Sequence, residues 1–338
     1  MVKIKGFLIS LILLGLVAVA AIVAGSQWLL HQPVKSLQRP ILFEVEPGSH
    51  ARIILKRLNH QQLVGDLSLT YLASRLWQVG GQLKAGVYQL EPGLTLEQLW
   101  TKLEHGDQYQ FQVTLVEGQT LAQWLQRLHQ QPYLQSVTRD LSEQALLAEV
   151  TGSASFSSLE GLLAPDTYSY QAYSTDLLLL RQAYQEQQQL LNQFWRERAE
   201  DLPYKSPYEM LIMASIIEKE TGYAGERPLV SSVFVNRLRL GMRLQSDPTT
   251  IYGIANFDGN LTRAHLREAT PYNTYKISGL PPTPIAMPGT ASLRAAAHPA
   301  TSDYLYFVAD GSGGHVFSKT LAEHNKAVNR YQRKQTNP

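Results

Sequence analysis

Phe43-Glu44-Val45-Glu46-Pro47-Gly48-Ser49 reads as a strand, a tight turn and a helix start: apolar and polar residues alternate up to the Pro-Gly pair, and Ile53, Ile54 and Leu58 follow at helical spacing. The pattern recurs. Tyr88-Gln89-Leu90-Glu91-Pro92-Gly93 precedes Leu96, Leu99 and Leu103, and Val113-Thr114-Leu115-Val116-Glu117-Gly118 precedes Leu121, Trp124 and Leu128. Ser49, Thr95 and Thr120 carry hydroxyls suited to accept from the first free N–H groups of each helix. Gly48 and Gly93 are 45 residues apart and Gly93 and Gly118 only 25, too uneven for a solenoid. The expected class is α+β, with a small module of short strands and short helices over 41–112.

Upstream of that module, Phe7 to Leu30 contains no charged residue, a run long enough as a helix to cross a hydrocarbon core of about 30 Å. Lys3 and Lys5 precede it, so the excess of positive charge predicts a cytoplasmic tail over 1–6, a membrane helix over 7–30 and the remaining chain across the membrane. The competing reading is a signal peptide cleaved near Ala18-Val19-Ala20. Ile22, Val23, Trp28, Leu29 and Leu30 prolong the apolar run beyond a usual signal core and favour a retained anchor. Residues 31–40 then read as a spacer.

Composition agrees with an anchored exported chain. Its 338 residues suffice for two modest domains, and only 17% are charged against about 25% in typical soluble chains. Apart from Lys3 and Lys5, 28 basic residues face 28 acidic ones, which argues against a nucleic-acid partner, since phosphate backbones demand a basic excess. With no cysteine, disulfides, thiol nucleophiles and thiolate metal sites are excluded. His298, His315 and His324 lack metal-ligand spacing, and neither a metal nor a cofactor is expected.

Periodicity weakens between Pro132 and Val150, and 113–150 reads as a connecting segment. Asp176 to Arg198 is an expected long helix whose Leu178, Leu179, Ala183, Leu190, Leu191 and Phe194 fall near one stripe, with the Gln187–Gln189 run as a solvated face. Ser206-Pro207-Tyr208-Glu209 opens another helix, with Ser at the N-cap, Pro at N1 and Glu at N3 as a capping box. Met210 to Ile217 are apolar almost all round, which predicts a buried helix, and Gly222 is a suitable residue beyond its end.

Glu218 therefore lies in the last turn of a core helix. Burial and the negative end of the helix dipole both disfavour its carboxylate, so its pKa should rise, as a general acid requires. Against this stands a merely solvated glutamate at a frayed helix end, with Lys219 and Arg227 nearby. Glu220, roughly 200° around the helix, would face elsewhere. A second helix is expected from Arg227 to Leu240, in which an inward Asn236 or Arg237 needs a polar partner. Asp247-Pro248 opens a short helix, with Asp247 either capping it or meeting substrate. Tyr168, Tyr170, Tyr252, Tyr272 and Tyr275 sit in loop-like contexts, where a ring could stack on a sugar or pack under a loop. Gly279-Leu280-Pro281-Pro282-Thr283-Pro284-Ile285 reads as a rigid extended loop. A hairpin from Tyr304 to Ser318 and a capping box at Thr320 to Glu323 close the chain.

Taken together, Leu159-Glu160-Gly161-Leu162-Leu163-Ala164-Pro165-Asp166-Thr167-Tyr168, Ala214-Ser215-Ile216-Ile217-Glu218-Lys219-Glu220-Thr221, Val235-Asn236-Arg237-Leu238, Leu244-Gln245-Ser246-Asp247-Pro248-Thr249, Pro271-Tyr272-Asn273-Thr274-Tyr275, Gly279-Leu280-Pro281-Pro282, Gly314-His315 and Glu323-His324-Asn325 resemble the endolytic murein transglycosylases, the YceG-like family. Thr283 and Thr250 depart from that pattern, which more often has Gly and an aliphatic residue there. The resemblance implies an inner-membrane enzyme with a LysM-like glycan-binding module over 41–112 and a catalytic domain over 151–335 on the periplasmic side, built around a buried catalytic helix. It implies Glu218 as acid and then base, cutting the strand non-hydrolytically to leave a 1,6-anhydro end. Asn236, Gln245, Asp247, Tyr252, Tyr272 and Asn273 would hold sugar. Expected partners are peptidoglycan glycan strands and the membrane, with peptidoglycan synthases or divisome proteins as candidates. Two other readings stay open: a non-catalytic wall-binding anchor in which Glu218 is structural, and a muramidase in which Asp247 or Glu220 manages water.

Overall fold

The computed structural model describes residues 2–34, 37–153 and 155–333. Met1 of the expected tail, residues 35–36 of the spacer and residues 154, 334 and 335 of the expected 151–335 segment lie outside the described residues. The architecture is α+β, and the chain divides into two compact units: residues 1–111 with 169–174, and residues 112–168 with 175–338.

In the first unit, α1 (Val2–Leu30) is the apolar helix, with a mean hydropathy of 3.0 from Ile4 to Leu30. Its last turns touch the rest of the unit: the Trp77 indole N–H donates to Ser26 Oγ over 2.9 Å, and Leu30 is buried. Then follow β1 (Ile41–Val45), α2 (Ala51–His60), α3 (Leu67–Leu76), β2 (Gly86–Leu90) and α4 (Leu96–His105). The strands pair antiparallel with Phe43 opposite Tyr88. Leu55, Leu58, Leu99, Trp100 and Leu103 are fully buried between them, and the one polar atom of Trp100 is satisfied by Ser74 Oγ at 3.0 Å. Thr95 completes its capping box with Gln98, whereas α2 starts one residue later than Ser49 implies, at an N-cap His50 that makes no side-chain bond.

The third strand–turn–helix unit is β3 (Phe111–Leu115) and α5 (Leu121–Leu128), capped by Thr120 and Gln123. Residues 113–150, expected as a connecting segment, carry α5, a 3-10 turn at Val137–Asp140 and α6 (Glu143–Thr151) within the second unit. A fourth strand–turn–helix unit follows, β4 (Asp166–Tyr170) and α7 (Asp176–Glu197). It escapes sequence inspection because Tyr173 occupies the left-handed turn position, at φ 67°, which glycine holds in the other three. β1-α2-α3-β2 and β3-α5-α6-β4 thus have the same order of elements, and β4 pairs with β3 as β2 does with β1. Tyr168 and Tyr170 lie on a strand and are buried, not on a loop. On α7, Leu178 is exposed and Gln187 is fully buried, its amide donating to Gly161 O over 2.9 Å, so the glutamine run is not all solvated.

The core of the second unit is α8 (Pro207–Glu220), whose residues Met210 to Ile217 are all buried. Around it pack α7, α9 (Arg227–Arg239), α10 (Asp247–Tyr252) and α11 (Thr290–Ala297). At about 1.5–3 kcal/mol for each large apolar side chain removed from water, this sleeve is the main support of the helix. Ser206 Oγ accepts from Glu209 N as expected, but the Glu209 carboxylate accepts from Lys205 N, one residue before the cap. The helix leaves through an extended Thr221 at φ −142°, not through a left-handed Gly222. An antiparallel hairpin of β5 (Tyr306–Ala309) and β6 (His315–Ser318) and the boxed helix α12 (Leu321–Val328) complete the unit.

Candidate active site

The last turn of α8 presents Glu218, Lys219 and Glu220 in three directions, as a step of about 100° per residue requires. The Glu218 side chain is 6% exposed; its Oε2 accepts from Gly289 N over 3.0 Å, and its Oε1 lies 3.7 Å from Arg227 Nη2. Burial, foreseen from the sequence, is thus joined by the guanidinium of Arg227, which the sequence placed nearby, and by a backbone donor, which it did not indicate. Glu218 is not among the residues lining either cavity described below.

Glu220 opens on a cleft of about 380 Å³ that it lines together with Arg237, Gln245, Asp247, Tyr275 and His315. Its Oε1 accepts from the Ser246 hydroxyl. Burial pushes the Glu220 carboxyl up to about 7 and the Asp247 charge adds to this, while the Ser246 hydrogen bond and the Arg237 guanidinium pull it back. Arg237 has the inward disposition that required a partner: Nε donates to Leu305 O over 2.6 Å, and Nη1 to Leu244 O over 2.8 Å and to Gln245 Oε1 over 3.2 Å. Gln245 is held at φ 53°, a left-handed backbone that aims its amide at this arginine. Asp247 makes no cap. It is the first residue of α10 after a bare Ser246 N-cap, and its Oδ1 accepts from the Tyr275 hydroxyl over 2.7 Å. Across the cleft, Glu226 holds His315 twice, accepting from its backbone N over 2.9 Å and pairing with ring Nδ1 over 2.8 Å.

Of the residues expected to hold sugar, Gln245 and Asp247 join Glu220 here and the others do not. Asn236 donates to Ser302 O and Tyr304 O, pinning the strand-entry segment beside a separate small cavity. Asn273 is 0% exposed; its amide donates to Glu268 O over 2.6 Å and its oxygen accepts from Thr250 Oγ1 and Tyr275 N. It builds the loop from inside and has no surface to offer a ligand. Tyr252 and Tyr272 pack edge to face, with centroids 4.8 Å apart, on a second cavity. The two departures from the family pattern both make hydrogen bonds: Thr250 to Asn273, and Thr283 Oγ1 to the Tyr272 hydroxyl at 2.9 Å.

That second cavity, about 1160 Å³, lies on the Lys219 side of the same helix end. Glu160 is 3% exposed in its wall; Leu121 N donates to its carboxyl over 3.1 Å and the Tyr252 hydroxyl over 3.1 Å. Burial pushes Glu160 up to about 7 against the pull of these donors and of Lys219. The sequence places Glu160 in a quoted motif without a role, since nothing in its local spacing says that it is buried. Tyr275, Arg237 and His315 likewise belong to the family motifs, as a loop tyrosine, an inward helix arginine and a hairpin histidine, without a place at the site assigned to them from the sequence.

A profile of the YceG-like family matches residues 43–330. The endolytic murein transglycosylase of Bacillus subtilis is 34% identical over 264 residues, covering 73% of each chain. The protein of the same name in Streptococcus pneumoniae is 30% identical over 282 residues, 73% of this chain and 50% of its own length. A crystal structure of a yceG-like protein from Listeria monocytogenes superposes with a TM-score of 0.56 at 30% identity, covering 86% of this chain and 99% of that one.

Proposed function

Because the chain belongs to the YceG-like family and is an endolytic murein transglycosylase, a lyase acting on peptidoglycan, we propose that it cuts the β-1,4 bond between N-acetylmuramic acid and N-acetylglucosamine inside nascent strands, with Glu220 as the proton-transfer group. The observation that carries this assignment is the placement of the Glu220 carboxyl in the wall of a cleft, bonded to the Ser246 hydroxyl, beside the Asp247 carboxylate held by Tyr275 and near the fixed Arg237 guanidinium, with burial raising its proton affinity. Glu218, the sequence's first choice, is turned toward Gly289 and Arg227, and this favours a structural role.

In the proposed reaction Glu220 gives its proton to the glycosidic oxygen as the C1–O4 bond breaks. The resulting carboxylate takes the proton of the muramyl C6 hydroxyl, whose oxygen closes onto C1 to leave a 1,6-anhydro end. No water is consumed and one carboxyl serves both steps. Asp247, tied by Tyr275, supplies negative charge beside the cationic sugar carbon. The order of elements β1-α2-α3-β2 supports reading the first unit as the LysM-like glycan holder, and α1 supports an inner-membrane anchor with the catalytic part in the periplasm. Synthases or divisome proteins remain the proposed protein partners.

Digestion of purified sacculi with the full chain, read by mass spectrometry, tests this reading. Anhydro-muramyl ends are expected. Reducing muramyl ends would make the protein a hydrolase in which Asp247 directs water, and intact strands would leave only a wall tether.

A further inference from the structure

Helix α3 carries leucines on the side that the protein leaves uncovered. At about 100° per residue, Leu69, Leu72 and Leu76 fall within an arc of roughly 60°, and they are 57%, 59% and 48% exposed. The side turned to the core holds Thr70, Ala73 and Ser74, all buried, with Leu67 and Tyr71 half-buried beside them. There Ser74 Oγ accepts from the Trp100 indole N–H over 3.0 Å and donates to Thr70 O over 2.9 Å. Hydroxyls inward and leucines outward are the reverse of what a helix in water shows. Ser68 and Arg75, both exposed, form the flank next to Leu72, so the stripe has a polar, basic border.

The neighbour of this helix is α1. Trp77, which follows Leu76, donates its indole N–H to Ser26 Oγ over 2.9 Å, and Leu30 is buried in the core of the same unit. About 20 residues at 1.5 Å each cross a hydrocarbon core of about 30 Å, and counted from Phe7 that length ends at Ser26. The end of α3 is therefore fastened to α1 at the depth where acyl chains give way to headgroups. Trp28, 63% exposed just beyond, has the amphipathic ring that this depth favours. A leucine stripe at that level is covered by the lipid that already surrounds α1, while a neighbouring arginine pairs with anionic headgroups.

We propose that α3 is an interfacial helix, which sinks Leu69, Leu72 and Leu76 into the leaflet around α1 and sets Arg75 at the level of the phosphates. The inference rests on the reading of α1 as a retained membrane anchor. The first unit is then held at the bilayer surface by two helices, and its height above the lipid is fixed where a single tether would leave it free.

The chain has no cysteine, so a bimane label on one introduced cysteine reports a single place. The full chain is reconstituted in vesicles of phosphatidylethanolamine and phosphatidylglycerol, and quenching is read with lipids that carry a doxyl group high or low on the acyl chain. A label at Leu72→Cys should lose at least about half its emission to the shallow quencher, whereas one at Lys56→Cys, exposed on α2, should lose little. With the label at Leu69→Cys, adding Leu72→Ser and Leu76→Ser should restore the emission, and melting in detergent should be unchanged because these side chains are exposed. Equally weak quenching at Leu72→Cys and Lys56→Cys would overturn the proposal. So would shielding at Leu72→Cys that grows with protein density in the vesicle, which would mark a contact between copies. A label at Leu16→Cys, halfway along the span, that escapes the deep quencher refutes the anchor instead, so the two failures are told apart.

Discussion

Replacing Glu220 by Gln separates acid chemistry from architecture. The Gln amide oxygen is able to keep the Ser246 hydrogen bond, so the fold should persist, while the transferable proton is lost. General acid–base catalysis by one group is worth roughly 10²–10⁴ in rate, and cleavage should fall by at least that factor. Stability should move the other way. An ordinary glutamate near 4.5 that folding raises to about 7 binds a proton in the native state that the unfolded chain has already released. Its stabilising contribution is therefore whole below about pH 4.5 and is lost as pH rises through 7. At about 1.4 kcal/mol for each tenfold change, the loss amounts to about 3 kcal/mol by pH 8. Glu220→Gln, which cannot ionise, should match the wild type near pH 4.5 and exceed it by about 3 kcal/mol at pH 8, read from urea unfolding at both pH values. Wild-type cleavage should decline above pH 7 over the same interval. A Gln variant that cuts at the wild-type rate, or that gains no stability at pH 8, would refute the account of this carboxyl.

Three further outcomes follow from neighbouring contacts. Glu218→Gln removes the charge facing the buried Arg227 and should lower stability by about 3 kcal/mol while keeping measurable cleavage; abolished cleavage in a fully stable variant would return the acid role to Glu218. Asp247→Asn takes away a like charge that helps hold Glu220 up, so the alkaline limb of the pH–rate profile should move down by roughly 0.5–1 pH unit; an upward shift would contradict the assigned sign. Gly161→Ala places a methyl 2.4 Å from Pro284 Cβ at φ 76° and should cost about 2–4 kcal/mol in a thermal melt, and an unchanged melting temperature would show that the two loops do not meet.

Local chemistry explains what could be read early. The three Gly turns, the apolar run of α1, the Ser206-Pro207 start of α8 and the Thr320 box of α12 are encoded within a few residues of where they act, because alternation, helical spacing, caps and left-handed glycines are short-range properties. The fourth unit was hidden because Tyr173 does by tertiary constraint what glycine does freely, and α6 was hidden because its apolar face is short.

The amino-acid order alone determined that a buried helix ends in Glu-Lys-Glu and that an acid is available there, since burial of Met210 to Ile217 follows from their side chains. Which glutamate meets the cleft was decided only by the packing of elements remote in the chain. The Gly289 backbone and Arg227 claim Glu218, while Ser246, Arg237 and Asp247 surround Glu220. Asn273 and Asn236 were equally plausible polar contacts until the fold turned them inward onto backbone carbonyls. A carboxyl's proton affinity is set by desolvation and by charges a few ångströms away, and those neighbours arrive from residues that are distant in sequence.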